Sequence, residues 1–213
     1  MELLTTGITF FQKGGIVMYV LLLCSLFVFS IGIERAMYFR RMDSGRAFAR
    51  DFYLALANNK WQKAEQLADH ARGALADILF AVITKKPEAR KNPSAYMEIQ
   101  SGIALAKMRK RLYYLSVIVT MAPLLGLLGT ISGMITSFSV FNLESGQPTA
   151  ITGGVGEALI ATAMGLCVAI ISLTVHAYFS QRIENVVTDM EQCFSMVETA
   201  AVERDGMNKE EAA

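Results

Sequence analysis

Cysteine, proline, tryptophan and histidine are all scarce in this chain of 213 residues, at 3, 4, 1 and 2 respectively. Cys24 and Cys167 lie in apolar runs, and Cys193 lies in a polar helical stretch. No short spacing joins them, which argues against a disulfide framework or a zinc site; they read as free thiols used for packing. The sequence has no phosphate loop, no HExxH and no GxSxG. Nothing in it therefore calls for soluble enzyme chemistry, a cofactor or a metal. Trp61 and His70 read as packing and surface residues. A formal net charge of +1 offers no signal for nucleic acid. Charge is also missing locally, since residues 16–33 and 112–141 contain no Asp, Glu, Lys or Arg.

Those charge-free runs set the class. As a helix, residues 16–33 reach about 27 Å, close to the ~30 Å hydrocarbon thickness of a bilayer. The only basic residue ahead of the run is Lys13, and no A-x-A site directly follows it, so the run is expected to be a retained span and not a cleaved signal. Residues 1–13, with Ile8, Phe10 and Phe11, fit either a short interfacial helix or a frayed terminus. A second span is expected over 112–141 and a third over 155–179. An overall apolar share of 53% is modest for a membrane protein, so part of the chain should lie outside the bilayer.

Basic residues decide which side. Residues 35–111 hold 16 of the 20 Lys and Arg. Arg35, Arg40, Arg41, Arg46 and Arg50 follow the first span, and Lys107, Arg109, Lys110 and Arg111 precede the second. The connection 142–154 has none. The positive-inside rule places 35–111 in the cytoplasm and the amino terminus outside. Topogenic charge and contact with anionic headgroups account for the basic clusters better than nucleic-acid binding does. Within the loop, apolar periodicity predicts three helices: one through Phe48, Phe52 and Leu56, one through Trp61, Ala64 and Leu67, and one through Leu75, Ile78 and Val82. Pro87 and Asn92-Pro93 interrupt the pattern, and Ser94 is the expected N-cap of the next helix, which continues into the second span.

The second span carries a stripe at helical spacing: Ser116, Thr120, Pro123, Leu127, Thr130, Met134 and Ser137. Thr162, Gly165, Ala169, Ser172 and His176 make a comparable stripe on the third. Gly126, Gly129 and Gly133, with Pro123 beside them, and the ridge Ala161, Gly165, Ala169 permit close helix packing. A hydroxyl in lipid is costly without a partner. Helix–helix glue and pore lining explain the hydroxyl stripes equally well on spacing alone.

Glu157 is the one carboxylate in the third span. An ionisable group at membrane depth points to function, while an interfacial Glu serving the helix N-terminus is the plainer reading. It stands about 140° around the helix from Thr162, so a joint role would need a neighbouring helix. Beyond His176 an amphipathic pattern through Ile183, Val187, Met190, Phe194 and Val197 runs to Asp205. It predicts one long helix projecting into the cytoplasm, about 75 Å with its span. Its apolar face favours self-assembly. The tail from Gly206 is expected to be disordered.

The segment Ala122-Pro123-Leu124-Leu125-Gly126-Leu127-Leu128-Gly129-Thr130-Ile131-Ser132-Gly133-Met134-Ile135 resembles the APLLGLLGTVxGMI signature of the MotA/TolQ/ExbB proton-channel family. Gly156-Glu157-Ala158-Leu159-Ile160-Ala161-Thr162-Ala163-Met164-Gly165-Leu166 is similar to that family's second signature. Glu34-Arg35 after the first span and the three-span order fit its ExbB/TolQ branch. Ile171 departs from it, standing where many members place proline.

The resemblance implies an all-α membrane protein of three transmembrane helices with long cytoplasmic helical extensions, assembled as a homopentamer in a bacterial inner membrane. Its parts would be a periplasmic segment 1–13, spans 14–34, 112–141 and 155–179, a cytoplasmic loop 35–111, a periplasmic connection 142–154, and a cytoplasmic helix and tail 180–213. It further implies that Thr130, Thr162 and Glu157, with Ser116, Thr120, Ser137 and Ser172, line a lumen. The lumen would hold helices of an ExbD- or TolR-like partner that supplies the proton-carrying Asp. Protons would be the transported ion, and a TonB- or TolA-like protein would receive the work. A secondary transporter and a structural membrane scaffold are the rival classes. Three unlike spans offer no inverted repeat for the first, and the second leaves the Thr stripes with Glu157 unexplained.

Overall fold

The computed structural model describes residues 15–143 and 148–210, with side chains at 88, 90, 140–143, 148–153, 157 and 204–210 outside the description. Every regular element among the described residues is helical. In chain order these are α1 (Gly15–Met42), α2 (Arg46–Ala57), α3 (Trp61–His70), α4 (Ala74–Ile83), α5 (Pro87–Arg90), α6 (Pro93–Arg109), α7 (Leu112–Leu143) and α8 (Pro148–Glu210). The three loop helices expected from periodicity are α2, α3 and α4. The segment 1–13 lies outside the described residues.

Four local expectations need correction. Residues 148–154, assigned to a connection, are helical, because Pro148 is pre-set for the first helical position. The stretch from Gly206 is helical as far as Glu210. The cap of α6 is Asn92 and not Ser94: its Oδ1 accepts from the Ala95 N–H at 3.1 Å, with Pro93 next in the chain. And α6 does not continue into α7. The chain breaks at Lys110–Arg111, where Arg111 takes φ +74°, and the Tyr114 N–H then returns to the Arg111 carbonyl at 3.1 Å to start α7.

Three helices carry stretches long and apolar enough to cross a membrane: α1, the α6–α7 run and α8. Only 22, 28 and 33% of the residues in those stretches are buried within the chain. The rest is apolar surface that needs lipid or other protein. The chain divides into two compact units, one of residues up to Ile33 with Arg111–Tyr178, the other of Glu34–Lys110 with residues from Phe179 onward.

In the first unit α1 buries Met18, Leu21, Val28 and Ile31, a stripe at helical spacing. Its opposite face exposes Ile16, Leu23, Leu26 and Phe29. Phe27 meets Tyr114 of α7 edge-on, ring centres 6.2 Å apart. Val17 approaches α7 at Gly129, and Val175 of α8 approaches Gly32.

The second unit has a conventional apolar core of Phe52, Leu56, Leu79, Met97, Met108, Ile183 and Met190, all 2% exposed or less. Phe39 and Phe179 stack at 5.2 Å. Polar ties surround that core. Arg182 donates to Asp43 at 2.7 Å and Arg46 to Asn185 at 2.7 Å. The buried Cys193 thiol donates to the Ala49 carbonyl at 3.5 Å. Burial, reinforced by the nearby Asp189 carboxylate, pushes that thiol up to about 12. Cys193 is thus an inert packing group, as its sequence context suggested. Burial also raises Asp189, with Arg46 opposing and Asp43 adding to the shift.

The start of α4 depends on one glycine. Gly73 has φ +121°, and a Cβ there would lie 2.5 Å from Ser44 Oγ and 2.8 Å from the Met42 carbonyl oxygen. That same Ser44 Oγ accepts from the Ala76 N–H, serving one of the orphan donors of α4. Gly73→Ala is expected to cost about 3 kcal/mol, from a strained φ together with a displaced cap. A thermal melt of the detergent-solubilised variant with an unshifted midpoint would refute this.

Candidate functional site

The two signature stretches meet along α7 and α8, and glycine makes the meeting possible. A Cβ on Gly126 would stand 3.0 Å from the Ala161 carbonyl oxygen and from Thr162 Cα. On Gly129 it would lie 2.6 Å from Ala161 Cβ, and on Gly133 3.0 Å from Ala158 Cβ. On Gly165 it would sit 2.5 Å from the Ala122 carbonyl oxygen and 3.1 Å from Gly126 Cα. Gly126 and Gly165 face backbone and Gly129 and Gly133 face alanine methyls, the close approach that small residues permit between membrane helices. Ala158, Ala161 and Ala169 are buried in the same packing. Pro123 sits half-buried inside α7 without breaking it.

The hydroxyls divide into two groups by hydrogen-bond partner. Thr162 Oγ1 donates across the interface to the Gly126 carbonyl at 3.1 Å. Ser172 Oγ, with no exposure, donates to the Leu115 carbonyl at 3.0 Å. Those two are interhelical glue. Ser137 is also enclosed, donating to the Gly133 carbonyl at 2.7 Å, with Gly154 pressed against its Oγ. A side chain on 154 would collide there, so the small residue on α8 and the hydroxyl on α7 are matched. Ser137 and Ser172, which the family resemblance would set along a lumen, are buried within this chain.

Ser116, Thr120 and Thr130 behave differently. Each bonds a carbonyl of its own helix three residues back: Tyr113 at 2.8 Å, Val117 at 2.9 Å and Leu127 at 2.7 Å. Thr120 is exposed and Ser116 and Thr130 are half-buried. Leu127 and Met134 beside them are about half exposed, at 53% and 43%. Donating to a nearby carbonyl leaves the hydroxyl oxygen free to accept. The Gly126 carbonyl that accepts the hydrogen bond from Thr162 is one turn from Thr130 on α7. Thr130 and Thr162 therefore stand within a turn of each other at the rim of the α7–α8 packing. Glu157 lies on α8 (Pro148–Glu210), but its side chain is outside the described residues. The helix runs past Ile171 uninterrupted.

One polar group escaped the sequence reading. Arg35 is 3% exposed. Its Nη1 donates to the Lys107 and Met108 carbonyls at 3.0 and 3.3 Å, and its Nη2 pairs with Glu34 at 2.7 Å. The guanidinium also lies 4.7 Å from the Tyr38 ring centre. Since α6 ends at Arg109, those carbonyls are two of its orphan acceptors. Arg35 is a C-cap supplied by another helix. Its signal was visible in the Glu34-Arg35 pair closing the first span, but sequence alone read it as topogenic charge. Among the described residues no cluster of His, Cys, Asp or Glu is arranged to hold a metal.

Comparison with known proteins adds the following. Residues 66–192 match the MotA/TolQ/ExbB proton channel family. Over 170 residues the chain is 35% identical to the biopolymer transport protein ExbB-like 1 of Synechocystis sp., covering 78% of this chain and 67% of that one. The ExbB-like 3 protein of the same organism is 31% identical over 166 residues, covering 76% and 79%. An ExbB homologue of Methanothermobacter thermautotrophicus is 24% identical over 191 residues, covering 87% and 67%.

Proposed function

This chain belongs to the MotA/TolQ/ExbB proton channel family, within its ExbB/TolQ branch, and on that premise we propose that it is the ring-forming subunit of a proton-driven motor in a bacterial inner membrane. Copies of the chain, five in the family plan, surround a lumen, with residues 35–110 and the far end of α8 in the cytoplasm. Helices of an ExbD- or TolR-like partner occupy the lumen and bring the carboxylate that carries the proton. Work passes on to a TonB- or TolA-like envelope protein.

The observation that carries this reading is the hydroxyl stripe Ser116, Thr120, Thr130 on one face of α7, with Thr120 exposed and the other two half-buried. Bonded within their own helix, these groups cost little in an apolar setting. Each keeps a lone pair with which to accept from a water or a protonated carboxyl. They solvate a moving proton without leaving a fixed charge in the lumen. Glu157, on α8, takes the acidic position of the family's second signature by motif match.

Thr130→Ala separates this role from a scaffold. Because Thr130 bonds only its own helix, its loss should change stability by less than about 0.5 kcal/mol. Proton flux through the complex with its partner, and proton-motive-force-dependent function in cells, should fall at least tenfold. Thr130→Ser should restore both. Normal flux and function in an assembled Thr130→Ala complex would favour the scaffold reading.

A further inference from the structure

The second unit carries an acidic groove of 310 Å³ between α6 and α8. Its floor is apolar, with Leu105, Val187 and Phe194 half-buried, and its rim holds Glu98, Glu191 and Glu198. All three carboxylates are exposed, and no Lys or Arg is among the residues that form the groove. A surface of this kind fits an apolar segment edged with positive charge.

The same unit displays such a segment on α2. Tyr53 and Leu54 are 41% and 49% exposed, large apolar groups left partly open among the described residues. Arg50, one turn away, has a side chain 74% exposed and is held only by the adjacent Asp51 at 3.4 Å. Height along α8 matches as well. The Cys193 thiol contacts the Ala49 carbonyl, so Arg50 lies level with the 190–194 turn that floors the groove. Yet Cys193 and the groove residues of α8 face directions roughly 115° apart on the helix wheel. The α2 patch therefore cannot cover the groove of its own chain. Two different, complementary patches at one height make a heterologous contact, the kind that closes into a ring when repeated by rotation.

We propose that Arg50, Tyr53 and Leu54 of one copy of this chain dock into the α6–α8 groove of the next. Tyr53 and Leu54 pack on the half-buried Leu105, Val187 and Phe194, and Arg50 faces Glu191 and Glu198. This rests on the ring-forming reading above and adds to it a specific cytoplasmic seam between subunits.

The test uses the full chain in membranes. Tyr53→Cys and Ser101→Cys are introduced together and separately, and oxidised. The double variant should give a ladder of multimers, with each single variant at background. Glu191→Lys with Glu198→Lys should reduce the ladder at least fivefold, and adding Arg50→Glu should restore it. Native mass measurement of the detergent-extracted complex runs in parallel. A ring of normal mass without the ladder would overturn the docking while leaving the ring reading intact. A monomeric mass would overturn both. Cross-linking of Ser101→Cys to a different protein, with no ladder, would assign the groove to a basic partner segment and also overturn the proposal.

Discussion

Gly165→Leu should yield no stable protein, the largest effect expected of any single substitution here. Residue 165 faces backbone, since a Cβ there would lie 2.5 Å from the Ala122 carbonyl oxygen and 3.1 Å from Gly126 Cα. A flexible side chain can swing away from an intruding methyl, but a helix backbone cannot. Overpacking in an adaptable core costs roughly 1–3 kcal/mol; separating α7 from α8 adds the loss of the bonds from Thr162 and Ser172 to the Gly126 and Leu115 carbonyls, each worth about 0.6 kcal/mol between membrane helices. The two helices would have to move apart along the whole Gly126–Gly133 contact. The expected readout is loss of monodisperse protein after detergent extraction. Gly165→Ala should survive with a thermal midpoint lowered by several degrees. Gly156→Ala is the control, because nothing lies within 4 Å of a Cβ at that site, and it should match the wild type. A Gly165→Leu protein extracted in normal yield and melting normally would show that the α7–α8 approach is looser than described.

The helices themselves were legible because membrane spans and amphipathic helices announce themselves by period and by absence of charge. The α2, α3 and α4 positions followed from apolar spacing, and the small-residue ridges marked close helix packing without naming the partner helix. What spacing could not decide was which hydroxyl turns inward. Ser172 and Thr120 have the same chemistry and each sits on a regular stripe. Their difference lies in the partner helix, whose rotation depends on Gly126, Gly129 and Gly133 meeting Ala158 and Ala161. The break at Arg111 was equally hidden. No Gly or Pro marks it, and a continuous helix is the local preference; the turn is instead accompanied by a C-cap from Arg35, 72 residues away from Lys107 in sequence. The Asn92 cap was misplaced by two residues because Ser94 and Asn92 are both good N-cap types, and the Pro93 between them favours the earlier one.

That C-cap supports the second large prediction, Arg35→Ala. The Lys110 N–H serves the Ala106 carbonyl at 3.1 Å, and Arg35 serves the next two carbonyls, at 107 and 108. The guanidinium bridges two carbonyls and a carboxylate at once, with a planar fork that other side chains lack. Removing it leaves buried acceptors without partners and a cavity beside Met108, which has no exposure. Buried bonds from a charged donor are worth about 1.5–3 kcal/mol, so Arg35→Ala should destabilise the second unit by about 3 kcal/mol. Arg35→Lys should recover less than half, since an ammonium reaches one carbonyl and loses the planar fork. Glu34→Gln should cost under about 1 kcal/mol, because its side chain is 33% exposed and the solvent screens the pair. Amide exchange gives the site-specific check: protection in the last turn of α6 should fall in Arg35→Ala while the middle of α7 is unchanged. Equal stability of the Lys and Ala variants would mean that the bidentate cap contributes nothing, and that Arg35 serves only as positive charge at the end of the first span.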